Sequence, residues 1–174
     1  MAASWVAFAW ANRLCVATLV EKITPAIIGT LFKSRALRAD RGWRAYVWNN
    51  VPGDGNEDLA YRLANGGYKV VLCPVTNLYF DLAWNKNPEE PGLDWGGYVD
   101  LRKAFEFIPF DYYRNVRTDK RGNPVPSSVF VGKDRLTDYG RSNILGIQGA
   151  LWSETLNGEG RMEHMLVPKG VNLI

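Results

Sequence analysis

Histidine and cysteine are nearly missing from the sequence. His164 is the single imidazole in 174 residues, and Cys15 and Cys73 are the only thiols. One histidine offers neither a histidine metal cluster nor a Ser-His-Asp set, and two dispersed cysteines supply neither a disulfide framework nor a cysteine zinc site. No metal and no organic cofactor is expected. A strong excess of one charge is also absent: 21 Lys and Arg stand against 18 Asp and Glu, a net charge of +3, which gives no reason to expect nucleic acid or another polyanion as partner. Seven basic and two acidic residues fall in the first 50, leaving 21 − 7 = 14 basic and 18 − 2 = 16 acidic residues beyond. The 17 glycines include no G-x-G-x-x-G arrangement and no P-loop lysine, which argues against nucleotide binding. Nor is there an apolar run long enough for a membrane span, because Asn12, Arg13, Glu21 and Lys22 interrupt the apolar opening. Residues 1–8 lack the basic start of a secretory signal, and no compartment follows from the sequence. What is present is a globular composition, 47% apolar and 13% aromatic, with seven tryptophans.

The chain changes character near residue 43. Residues 1–42 form an unassigned apolar and basic leader, with an apolar helix expected over 4–20 and a solvated link over 33–42. From Trp43 a run of apolar and aromatic residues leads to the turn-rich VPGDGN. A short helix is expected after Asn56, with Leu59 and Leu63 four apart and Gly66-Gly67 as its stop. YKVVLCPV, residues 68–75, is the near-continuous apolar pattern of a strand covered on both faces, and residues 144–152 repeat it. Strand, helix, strand argues for a parallel α/β sheet with right-handed crossovers. Between these strands lie a loop at 85–98, a short helix within 99–109 and an exposed excursion over 113–128. The tail opens as a helix that Pro168 and Gly170 should stop early.

The strand-like segments end alike: Trp48 before Asn49 and Asn50, Tyr79 two residues before Asp81, and Trp152 two before Glu154. The carboxyl ends of parallel strands gather on one side of the sheet, and residues two apart share a face if the strand continues through them. Aromatic rings beside acceptors suit a sugar, whose C–H faces stack on rings while its hydroxyls donate to carboxylates. The competing structural reading makes each tryptophan, Trp84 included, a packing residue, with Arg62 or Arg141 as a mate for Asp81 or Glu154. Glu57 and Asp58 read as first-turn helix residues, and Glu89 and Glu90 as a solvated loop.

The run EDLAYRLANGGYKVVLCPVTNLYFDLAWNKNPEEPGLDWGGYVD followed by NILGIQGALWSE closely resembles the C-terminal half of the catalytic barrel of bacterial β-N-acetylhexosaminidases of glycoside hydrolase family 20. Two ordered motifs carry the resemblance, Tyr79-x-Asp81 and Leu151-Trp152-x-Glu154, and it covers about residues 43 to 169. It implies a partial (β/α)8 TIM barrel, roughly its last three strands, behind the apolar helical leader. It also implies hydrolysis of terminal N-acetylglucosamine or N-acetylgalactosamine in glycans by a retaining mechanism in which the substrate's acetamide is the nucleophile. On that resemblance Tyr79 donates its hydroxyl to the acetamide oxygen, Asp81 and Glu154 bind sugar hydroxyls, Trp48 and Trp152 wall the pocket, and Trp95 sits at its rim.

The family's adjacent Asp-Glu pair, with its general acid, has no counterpart in the part that matches; Glu57-Asp58 and Glu89-Glu90 differ in order or type. The expectation is therefore a fragment, residues 43–174 being an incomplete barrel domain, with little or no activity as an isolated chain. A barrel needs about 250 residues, and an incomplete one leaves sheet edges for a partner or missing segment to complete. The alternatives are a non-catalytic carbohydrate-binding remnant or a piece that works only when packed on a partner.

Overall fold

The structure, a computed structural model, describes residues 8–10 and 44–170. Three short strands, β2 (Arg44–Val47), β3 (Lys69–Leu72) and β4 (Ile144–Gly149), lie parallel and side by side in chain order. The register runs Arg44↔Lys69 to Val47↔Leu72 and Val70↔Ile144 to Leu72↔Ile147, with an irregularity between Val70 and Val71 opposite the extra residue Leu145. A further strand, β1 (Phe8–Trp10), adds to the free edge of β4 in antiparallel sense, Phe8 opposite Gly149 and Trp10 opposite Ile147. This corrects the helix expected over 4–20 at residues 8–10, and the rest of that stretch lies outside the described residues. The physical reason is the open edge of β4, whose unpaired N–H and C=O groups accept a strand, and Phe-Ala-Trp has the aromatic content that suits one.

The first crossover is α1 (Leu59–Asn65), which buries Ala60, Leu63 and Ala64 against Val47, Val70 and Leu72. Each large aliphatic side chain in that layer contributes about 2 kcal/mol of transfer free energy. The helix starts later than Asn56 because its expected first-turn acids are engaged elsewhere. Glu57, 1% exposed, accepts from the N–H groups of Gly53 (2.6 Å) and Gly55 (3.3 Å) and pairs with Lys133 at 2.5 Å. Asp58 caps nothing with its side chain; it pairs with Arg62 at 3.2 Å and accepts from the N–H of Asp134. Both acids are therefore structural.

After β3 the chain does not continue as a strand to Val75. Pro74 ends the ladder, and one helical turn, α2 (Val75–Leu78), follows. Asn50 fixes that turn: its Nδ2 donates to Thr76 Oγ1 (2.7 Å) and its Oδ1 accepts from the Thr76 N–H (3.2 Å). The short helix expected within 99–109 is α3 (Leu101–Phe105), capped by Asp100 through the N–H of Lys103 at 2.8 Å. The excursion over 113–128 is largely exposed as expected, but it is anchored at its start by Tyr113, buried with Tyr61, Tyr112 and Phe130 in one aromatic cluster. There the Tyr61 hydroxyl donates to the Pro109 carbonyl, and the Tyr112 hydroxyl to that of Glu57.

A turn of helix, α4 (Asp138–Arg141), leads into β4, and the last element, α5 (Glu159–Gly170), runs through Pro168 instead of stopping before it. The proline removes one main-chain bond, but the next residue, Lys169, is buried and tied to carbonyls of a neighbouring segment, so tertiary anchoring holds the final turn. Among the described residues no helix is long and apolar enough to cross a membrane.

Candidate active site

Beyond its last ladder pair the sheet continues as a single bridge, Tyr79 beside Ala150. The Phe80 N–H donates to the Ala150 carbonyl (2.7 Å), and the Ala150 N–H to that of Leu78 (2.8 Å). These bonds weld the segment after α2 to the residues after β4, so Tyr79 and Trp152 stand with ring centroids 5.9 Å apart. Trp48 follows β2, and its carbonyl accepts from the Val75 N–H at 2.9 Å, which places its ring 6.4 Å from Tyr79. Trp95 closes the group from the loop before α3, edge-on to Trp48 at 5.9 Å and to Tyr79 at 6.1 Å. Tyr79 is thus the centre of a four-ring cluster and is 5% exposed, whereas Trp95 is 45% exposed at the cluster's margin.

Two residues further on, Asp81 is 2% exposed, and its Oδ1 has no hydrogen-bond partner. Burial pushes its carboxyl up to about 7. The main-chain N–H groups of Asp81 and Trp152 act against that rise, the charge of Glu154 adds to it, and Lys169 opposes it. Burial likewise raises the Tyr79 phenol above its usual range, with Cys73 and Asp81 adding to the effect and the Trp152 indole N–H opposing it; the hydroxyl remains a proton donor at neutral pH. Glu154 is exposed but close enough to Asp81 to influence it. The arrangement offers a phenolic donor, a buried carboxylate with an unused lone-pair site, a second exposed carboxylate and three indole rings.

A model of the glycosyl hydrolase family 20 catalytic domain matches residues 27–173. The chain belongs to glycosyl hydrolase family 20. A β-hexosaminidase from Vibrio vulnificus is 34% identical over 129 residues, 72% of this chain and 14% of that protein. An N,N'-diacetylchitobiase from Vibrio harveyi is 28% identical over 130 residues, 73% of this chain and 13% of its own length. The chain therefore spans about a seventh of the length of these relatives. Among solved structures, a family 20 exo-β-N-acetylglucosaminidase from Vibrio harveyi in complex with N-acetylglucosamine superposes with a TM-score of 0.53 at 29% identity, over 75% of this chain and 16% of that one. The α/β sheet with strands adjacent in chain order thus lies within the stretch that matches a family 20 catalytic domain. The family match begins at residue 27, ahead of the boundary expected at 43.

All six candidate site residues, Trp48, Tyr79, Asp81, Trp95, Trp152 and Glu154, gather at the same end of the parallel sheet, but not on the strands themselves. Tyr79 and Asp81 were expected to share a strand face, yet β3 ends at Leu72, and they sit on an irregular segment after α2. Trp152 and Glu154 likewise lie beyond β4, which stops at Gly149. Neither Arg62 nor Arg141 is the mate of a site carboxylate: Arg62 pairs with Asp58, and Arg141 lies over the Phe110 ring at 4.9 Å. Glu90 is not a solvated loop acid either, because its side chain is 14% exposed and meets His164 Nε2 at 3.2 Å.

Two residues that the sequence reading did not single out support the site. Gly92 has φ +118°, and a Cβ there would stand 2.7 Å from Asp81 O, Ala83 N and Met165 Cε, so only glycine lets this loop lie against the Asp81 segment. Lys169 is fully buried, and its Nζ donates to the carbonyls of Phe80 (3.0 Å) and Leu82 (2.7 Å). The available signal was its position four residues after Met165, which continues the buried side of α5 with a lysine.

Proposed function

We propose that residues 43–174 form the acetamide-binding side of a β-N-acetylhexosaminidase active site and recognise terminal, non-reducing N-acetylhexosamine. The observation that carries this reading is the placement of the Tyr79 phenol, buried among Trp48, Trp95 and Trp152 and two residues from a buried carboxylate with an open acceptor site. In this reading the Tyr79 hydroxyl donates to the acetamide oxygen and holds it in line with the anomeric carbon. Trp48 and Trp152 wall the acetamide and the ring, and Trp95 lies at the rim. Asp81 and Glu154 accept from sugar hydroxyls, bonds that favour one orientation of the ring. The acetamide oxygen then bonds to the anomeric carbon as the bond to the leaving oxygen breaks. Water then attacks the anomeric carbon from the face the leaving group vacated and breaks the bond to the acetamide oxygen, so two inversions retain the configuration.

Departure of the leaving oxygen requires a proton from a general acid. Both site carboxylates are assigned here to sugar hydroxyls, so this chain by itself binds the sugar and turns it over slowly or not at all. A partner or further segment that completes the barrel would supply that acid.

The test is a tryptophan-fluorescence titration of the 174-residue chain with N-acetylglucosamine and with glucose, run beside hydrolysis of a chromogenic N-acetylglucosaminide. Saturable binding of the acetamido sugar alone, weakened by Tyr79→Phe, is the expected result. A featureless titration refutes the binding assignment. Hydrolysis at a normal enzymatic rate, abolished by Tyr79→Phe, overturns the low-turnover part.

A further inference from the structure

Lys169 carries a charge into the protein interior at 0% exposure, where a methionine or leucine would fill the same space without desolvating an ammonium group. Its surroundings show what the ammonium does. The main-chain carbonyls of three consecutive residues are all engaged around Asp81: Phe80 O and Leu82 O accept from Lys169 Nζ at 3.0 and 2.7 Å, and Asp81 O accepts from the Leu93 N–H at 3.3 Å. On the amide side, the Phe80 N–H is taken by Ala150 O at 2.7 Å. A carboxylate on an irregular segment has no ladder to set its backbone angles; here, fixing the peptide planes on either side sets them instead. The rest of the ammonium's surroundings are weak acceptors, the Trp84 ring with its centroid 5.0 Å away and Met165 Sδ at 3.9 Å. The two carbonyls are thus its principal anchors. The carboxylates of Asp81, Glu90 and Asp100 are near enough to favour its charged form.

We infer that Lys169 is the positioning residue of the site: from α5 it clamps the carbonyls on both sides of Asp81 and so holds Asp81, and Tyr79 before it, in the geometry that receives the sugar. This inference rests on the proposed binding of an N-acetylhexosamine by Tyr79 and Asp81. It assigns Lys169 no contact with the sugar. It makes α5 a functional element of the site, although none of the six candidate site residues lies on it.

The experiment uses the 174-residue chain with Lys169→Met, which keeps length and removes the charge and donors, and Lys169→Arg, which restores both. Amide hydrogen exchange is followed in the ligand-free proteins, and N-acetylglucosamine is then titrated by tryptophan fluorescence. Lys169→Met is expected to speed exchange at Phe80, Ala83 and Leu93 by about tenfold or more while Val70, Val71 and Leu72 keep their rates. It is also expected to weaken N-acetylglucosamine binding by about tenfold. Lys169→Arg is expected to recover most of both effects. Unchanged exchange at 80–93 refutes the clamp, and uniform acceleration across β3 as well reduces Lys169 to a general stability residue. Normal sugar affinity despite local loosening refutes the functional part. If Lys169→Met does not fold, Lys169→Gln, with donors but no charge, carries the same comparison. Failure of the unsubstituted chain to bind the sugar defeats the functional reading and the role drawn from it, and the exchange rates still decide the clamp.

Discussion

Replacing Asp81 by asparagine should stabilise the fold at pH 8 and not at pH 4. The side chain is 2% exposed, one of its oxygens lacks a partner, and burial pushes the carboxyl from an ordinary 3.8 up to about 7. An acid with a raised folded-state pKa takes up a proton on folding between the two values. Its native state is therefore favoured below about 4, loses that advantage as pH rises through about 7, and gains nothing further above. Taken whole, the displacement corresponds to about 4 kcal/mol. That value already contains the opposing effect of Lys169, and asparagine puts an amide where the carboxylate now accepts main-chain N–H groups, which takes back part of the gain. About 2 kcal/mol in favour of Asp81→Asn at pH 8 is what should survive. For a chain of this size that is roughly 6 °C in Tm. Denaturant unfolding of both proteins at pH 4.5, 6 and 8 measures it, and the expected signature is a stability difference that grows with pH. A difference that stays constant from 4.5 to 8, or an asparagine variant less stable at pH 8, would refute the claim that Asp81 is held as a poorly solvated carboxylate.

Lys169 should show the complementary profile: burial pushes its ammonium down to about 8, so the folded chain gives up a proton between about 8 and 10.5, and stability should rise over that window in wild type but not in Lys169→Met. Gly92→Ala should cost about 3 kcal/mol in denaturant unfolding, because φ is +118° and the new Cβ meets main-chain atoms at 2.7 Å; a loss below about 0.5 kcal/mol would show that the loop does not lie against Asp81. Trp95→Ala, at 45% exposure, should leave the unfolding midpoint within about 1 kcal/mol of wild type yet weaken N-acetylglucosamine binding about tenfold by fluorescence titration. Glu57→Gln should lose about 3 kcal/mol above pH 5, since burial raises that carboxyl but Lys133 and the Gly53 and Gly55 amides outweigh it and hold it low; the loss should shrink as pH falls below about 4.

The parallel sheet was legible because its signal is local and repeated. Val70–Leu72 and Ile144–Ile147 are apolar runs with no alternation, and Gly66-Gly67 punctuates the helix between β2 and β3. The pairing of Tyr79 with Asp81, and of Trp152 with Glu154, was legible as spacing. Their setting was not, because β3 ends at Leu72, ahead of Pro74, and the segments that follow are held by main-chain hydrogen bonds to residues far away in the chain. Helix expectations failed where tertiary contacts outweigh propensity. The edge of β4 takes residues 8–10 as a strand, and the anchored Lys169 carries α5 past Pro168. Glu57, read as a first-turn helix acid, and Glu90, read as a solvated loop acid, are each engaged by a side chain more than 70 residues away, Lys133 and His164, which the local sequence does not reveal.

Burial disfavours the charge of two groups at this site, raising the Asp81 carboxyl and lowering the Lys169 ammonium. They do not meet as a direct ion pair: the ammonium is spent on carbonyls, and one carboxylate oxygen is spent on nothing. A core selected for stability alone would have joined the two or replaced both with apolar side chains, either of which is worth a few kcal/mol. The separation makes physical sense if the lysine's task is to hold the backbone and the carboxylate's free oxygen is reserved for a hydroxyl that arrives with the sugar. The hydrogen bond to that hydroxyl would then be made in a dry setting, where it is stronger than in water, and the stability forgone in the free chain would return as affinity. The double variant Asp81→Asn, Lys169→Met separates this account from simple charge compensation. Were the two groups mutual counter-ions, each single substitution would leave the other charge stranded, and the pair together would cost less than either alone. With separate tasks, Asp81→Asn alone stabilises at pH 8, Lys169→Met alone loosens residues 80–83, and the double variant shows both effects side by side.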